Sequence, residues 1–148
     1  MPGGTFLALW QSRAEVRDQL GWAVEPEQQP RAAEQRFQHG VLFWRKNLRQ
    51  IYVLNEVGTW AVYADTYTDD QPETEPTLVP PPGLIQPKRG FEKVWREQLG
   101  GPDAAIGWAT EIEGEIGGHF QRFERGLMLC NRDGTLLVLR DDGIWSAY

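Results

Sequence analysis

Cysteine occurs once in this chain of 148 residues, at Cys130, so no intrachain disulfide can form. Histidine and serine are almost as scarce, with two of each. His39 and His119 have no second His or Cys near them in sequence, so no zinc-type spacing exists. The glycine-rich phosphate loop ending in Lys-Ser/Thr is missing, as is the Gly-x-Ser-x-Gly nucleophile elbow. No apolar run approaches the ~20 residues of a membrane-spanning helix. The opening MPGGTFLALW has neither the charged start nor the longer apolar run of a signal peptide. Positive charge is outnumbered, 15 Lys and Arg against 21 Asp and Glu, for a net −6. That balance argues against general binding to nucleic-acid phosphates or anionic membranes. These absences predict a protein without catalysis, cofactor or metal.

What the sequence has in quantity is tryptophan, and it has it in pairs. Laid over itself at an offset of 85 to 86 residues, the chain matches along most of its length. Phe6 and Trp10 meet Phe91 and Trp95. LGWA at Leu20–Ala23 meets IGWA at Ile106–Ala109. RFQHGVLFW at Arg36–Trp44 meets RFERGLMLC at Arg122–Cys130, and Trp60 meets Trp145. Six of the seven Trp fall into three register-matched pairs, which is what shared core packing produces. The units expected are a first copy at 6–63, an acidic, proline-rich connector at 64–90 and a second copy at 91–148, together one compact domain. The first copy begins almost at residue one and the second ends on the last, which predicts a longer parent protein.

Each copy reads as a short helical head followed by three or four short antiparallel strands. In the first head, Ser12 and Glu15 have the spacing of a capping box. In the second, Asp103 is a candidate N-cap, and Gly21 and Gly107 read as left-handed stops. The connector carries six prolines and is expected to be extended and solvated; its acidic half lacks the ligand spacing of a calcium loop. The fold class expected is α+β, mainly antiparallel β: two tandem repeats packed with pseudo-twofold symmetry. The core should hold Trp10, Trp22, Phe37, Trp60, Trp95, Trp108, Phe123 and Trp145.

The copies differ most at one hairpin. Phe43, Trp44 and Tyr52 stand where the second copy has Leu129, Cys130 and Leu137, and Arg45, Lys46 and Arg49 lie alongside. Because side chains alternate along a strand, one of Phe43 and Trp44 must share a face with Tyr52. An aromatic face flanked by hydrogen-bond donors suits a sugar ring or a protein partner. Those six residues are the candidate ligand site. The carboxylates Glu111, Glu113 and Glu115 are the one grouping that could serve a hydrolase, which would need two of them across a cleft. A charged surface loop is the plainer reading. His39 reads as an exposed turn residue, and Cys130 as a small buried hydrophobe.

At LGWA…RFQHGVLFW and IGWA…RFERGLMLC the chain resembles the LGFP repeat. It is also similar to the terminal repeats of many Chloroflexi proteins. Ala23 and Ala109 stand where the LGFP motif has Pro. The resemblance implies an exported or cell-surface bacterial protein in which a non-catalytic accessory module binds cell-wall glycan or anchors a larger protein. The alternative is a module for protein–protein contact, including a homodimer.

Overall fold

A computed structural model describes every residue from Met1 to Tyr148. Two helices come first, α1 (Gly4–Ser12) and α2 (Ala14–Leu20). Phe6, Leu9 and Trp10 bury one face of α1, and Val16 and Leu20 one face of α2, at the three- and four-residue spacings of an amphipathic helix. The expected capping box does not form. Ser12 belongs to the last turn of α1, where its hydroxyl donates to the Leu9 carbonyl at 3.3 Å, and Arg13 with extended backbone separates the helices. The second half has one helix, α3 (Arg89–Glu97), which buries Phe91, Val94 and Trp95. Asp103 is not an N-cap there; it closes a short 3-10 turn, Gly101–Asp103. Gly21 and Gly107 both take positive φ, 74° and 78°, as their turns require.

The remaining elements are strands: β1 (Ala32–Phe37), β2 (Gly40–Arg45), β3 (Gln50–Asn55), β4 (Trp60–Ala64), β5 (Gly114–Ile116), β6 (Phe120–Phe123), β7 (Gly126–Cys130), β8 (Leu136–Arg140) and β9 (Trp145–Ala147). They form two antiparallel sheets, ordered β4-β3-β2-β1-β5 and β6-β7-β8-β9. The protein is therefore α+β and mainly antiparallel β. None of its helices is long and apolar enough to cross a membrane.

Apolar side chains close three layers. The middle layer joins the two sheets face to face, with Phe43, Tyr52 and Leu54 against Phe120, Leu127, Leu129, Leu137 and Leu139. The outer layers are crossed. Phe6, Trp10, Val16 and Leu20 of α1 and α2 pack on Phe123, Met128 and Val138 of the second sheet. Phe91, Val94 and Trp95 of α3, with Ile106 and Trp108, pack on Phe37, Leu42, Ile51 and Val53 of the first. Each helix thus covers the sheet built mainly by the other half, and each fully buried large side chain contributes about 1.5–3 kcal/mol.

Several contacts occur twice. The Trp10 indole N–H donates to the Gly21 carbonyl at 2.9 Å, and that of Trp95 to Gly107 at 2.8 Å. The rings of Trp10 and Trp22 lie 4.8 Å apart, those of Trp95 and Trp108 5.0 Å. At the sheet rims, Trp60 donates its indole N–H to the Arg140 carbonyl and Trp145 to that of Asn55, at 2.8 and 2.9 Å. Their backbone N–H groups reach Gly143 and Gly58 across the join at 2.9 and 3.0 Å.

Two expectations are corrected here. Trp10, Phe37, Trp95, Trp108 and Phe123 are buried and Trp60 and Trp145 half-buried, but Trp22 is 59% exposed and is not a core residue. The reason is the connector, which is not wholly solvated. Its Leu78, Leu84 and Ile85 pack on the core around Trp108, and no equivalent segment covers Trp22.

Candidate functional site

The register of β2 with β3 places Phe43 opposite Tyr52 and Trp44 opposite Ile51. Alternation then splits the six candidate residues. Phe43 and Tyr52 point into the layer between the sheets, 1% and 4% exposed, so neither offers a ligand a surface. Arg45 is also buried, stacked over the Phe120 ring at 4.6 Å with its guanidinium donating to Asn47 and Gln28. Its charge is satisfied inside the protein. Trp44, Lys46 and Arg49 face the other way, and all three line a cleft of 630 Å³.

Four segments build that cleft. The first sheet supplies Ala33 and Trp44, with Arg31 just before β1 and Lys46 and Arg49 from the β2–β3 turn. The connector adds Asp65, Tyr67 and Asp69. The start of α3 brings Lys88, Arg89, Gly90 and Phe91; Glu113 comes from the approach to β5, and Gly114 and Glu115 from β5 itself. Five cations and four carboxylates thus meet in a chain that is acidic overall.

Most of these groups are held. The Trp44 indole N–H donates to Asp65 Oδ2 at 3.0 Å, and Asp65 Oδ1 accepts the Tyr67 backbone N–H at 3.1 Å. Gly90 passes so close that a Cβ there would lie 2.6 Å from Asp65 Oδ1 and would push the carboxylate off the Trp44 indole. Arg31 pairs with Glu115 and lies 5.9 Å over the Trp44 ring. Arg89 bridges Glu73 and Glu113 at 3.2 and 3.1 Å. Burial pushes the Glu113 carboxyl above its ordinary pKa, against the opposing pull of Arg89. Lys46 and Lys88 are exposed and make no ion pair with any carboxylate. Arg49 and Arg89 are the two non-glycine residues with positive φ, 49° and 56°, and both line the cleft. Such strain persists where surrounding structure over-determines it, and it concentrates at binding sites.

The other reactive side chains are engaged elsewhere. His119 Nδ1 sits 2.9 Å from Glu27 Oε2, 3.2 Å from Thr5 Oγ1 and 3.1 Å from Gln29 Nε2. As donor to Glu27, Nδ1 has no lone pair left for the Gln29 amide; Glu27 also accepts the Thr5 N–H and hydroxyl, and so pins the start of α1. Burial tends to raise the Glu27 carboxyl, but hydrogen bonds from Thr5 and His119 outweigh it and leave the pKa lowered. Cys130 is half-buried, and burial with nearby Glu27 and Glu34 pushes its thiol up, away from a reactive thiolate. His39 pairs with Glu56 at an exposed turn. Of the three glutamates, Glu111 pairs with Arg132, while Glu113 and Glu115 line the cleft, each against an arginine.

Sequence reasoning placed Trp44, Lys46 and Arg49 in the candidate site but missed Asp65, Tyr67, Lys88 and Arg89. All four lie in or beside the connector. The signal available was Pro87-Lys-Arg-Gly90 following an aromatic acidic stretch, Asp65-Thr-Tyr67, on one strap of chain. No family model matches the chain, and neither a curated protein nor a solved structure does.

Proposed function

We propose that this protein is a non-catalytic binding module, formed by two diverged copies of one unit related by a pseudo-twofold, whose cleft takes an acidic carbohydrate of the cell envelope. The observation that carries the reading is the make-up of the cleft. An indole edge anchored by Asp65 stands beside two unpaired lysines, in a polar recess large enough for one or two sugar rings. Saccharides are bound through flat aromatic surface together with many fixed hydrogen-bonding groups, and Lys46 and Lys88 favour a ligand bearing carboxylate or phosphate. The contacts that recur at an offset of 85 to 86 support the two-copy part of the reading.

The test is a titration of the intact chain with purified acidic and neutral cell-wall glycans, read by tryptophan fluorescence and calorimetry. Saturable binding of the acidic glycans is expected. Removing both lysines, Lys46→Ala with Lys88→Ala, should weaken it about tenfold or more, as the loss of two charge-assisted contacts implies. Both lysines are exposed, so circular dichroism should be unchanged. Acidic glycans that bind no better than neutral ones, or a double variant with full affinity, would sink the reading.

A further inference from the structure

Trp22 and Trp108 are held alike and covered differently. The Trp22 backbone N–H donates to Glu124 Oε1 at 2.8 Å, and that of Trp108 to Gln38 Oε1 at 3.0 Å. The next residue but one bonds to a strand in both cases, Val24 N–H to the Arg122 carbonyl and Thr110 N–H to that of Arg36, each at 3.0 Å. Between them lie Ala23 and Ala109, and here the two sites part. Ile85 of the connector bridges to Ala109, its N–H donating to the Ala109 carbonyl at 2.9 Å, while Leu84 and Ile85 close over the core. Trp108 is then only 8% exposed. The Ala23 carbonyl accepts no hydrogen bond from the protein, Trp22 is 59% exposed and Val24 57%.

An unpaired backbone acceptor beside an exposed indole is what the addition of an extended segment uses. We propose that the Trp22–Val24 edge is a docking site for an extended, proline-containing apolar segment of another polypeptide. It would be held as the connector is held at Ala109: one backbone N–H on the Ala23 carbonyl and branched apolar side chains on the Trp22 indole. Prolines fix φ and so lower the entropy lost on docking. In the connector they lead into a turn, Leu84 N–H on the Pro81 carbonyl at 3.0 Å, that delivers Ile85 to Ala109. The residue donating the N–H cannot itself be proline, just as Ile85 follows the run Pro80–Pro82 at a short distance. A second copy of this chain does not fit the role, because its own segment of this kind is already engaged on Trp108.

The probe is a capped peptide of residues 77–88, TLVPPPGLIQPK, titrated into the intact chain by calorimetry and tryptophan fluorescence. Saturable binding is expected below about 1 mM. Trp22→Ala, and separately Val24→Asp at an exposed position, should each lower the affinity about tenfold. The same peptide with its isoleucine N-methylated should bind as weakly, and this arm holds even if a protein variant fails to fold. No saturation by about 1 mM would overturn the proposal. So would binding unchanged by both protein variants, which would place the peptide at Trp108 in exchange for the connector. Self-association that depends on Trp22 without peptide would also overturn it, giving the face to a second copy.

Discussion

The start of α3 opens on a cleft, and the start of α1 does not. Beneath α3, β1 and β2 present Ala33 paired with Trp44. At the matching offset beneath α1 stand His119 and Cys130, with the Cys130 N–H donating to the His119 carbonyl. The His119 ring fills its place and holds Glu27, which also accepts from Thr5. A methyl group at Ala33 leaves that place empty, and Trp44 swings its indole edge to Asp65 instead. The matching acids follow suit: Glu27 is satisfied by Thr5 and His119 with its pKa lowered, whereas Glu113 is buried beside Arg89 with its pKa raised. On the two-copy reading proposed above, two side-chain exchanges, His for Ala and Cys for Trp, decide which end is plugged. The lesson is that a site can be made by withdrawing a side chain as readily as by adding one.

The largest effect expected on this contrast is at the covered end. Trp108→Ala should cost about 3–5 kcal/mol, because it empties a volume enclosed by α3 and the connector. Trp22→Ala should cost within about 1 kcal/mol, since water already reaches that ring. Paired urea titrations would measure both, and equal losses would mean that the connector's cover adds nothing. His119→Ala comes next, at about 1–2 kcal/mol, for a carboxylate left short of a partner. It should also open a recess under α1 detectable by uptake of imidazole, with partial recovery of stability; a variant indifferent to imidazole would mean that the ring is not a plug. The smallest is Glu27→Gln, about 1 kcal/mol at neutral pH. The folded pKa of Glu27 lies below its ordinary 4.5, so its contribution is complete above that pH and disappears as the pH falls through the folded value. Wild type and variant should therefore converge in stability on acidification below about pH 4.5, and parallel curves would refute the assignment.

Local pattern revealed much of the architecture. Apolar spacing in FLALW and FEKVW marked the helices, and RFQHGVLFW with IYVL marked strands that pair in the structure. It could not reveal that each helix crosses to the other half's sheet, because periodicity shows that a face is buried and not against what. The misplacement of Trp22 has the same root. A residue's match to a buried counterpart says nothing of a covering segment found on one side only. That one of Phe43 and Trp44 shares a face with Tyr52 was legible, but which of the two it is depends on the register, and which face turns to solvent depends on the second sheet. Within the cleft, the hairpin residues stood out as aromatic and basic. The connector residues did not, since proline and acid content read as a solvated strap until Leu84 and Ile85 are seen anchoring it.

The crossed helices give the connector a further consequence, because it is also a tether. It holds α3 near the first sheet at an effective concentration of order millimolar, so the contacts close within one molecule. Were it too short to span the two halves, the same apolar faces would be satisfied by exchange between two molecules, helix for helix, with no new surface needed. Shortening this strap until it no longer spans the two halves is therefore expected to turn a single molecule into an interlocked pair, readable by light scattering.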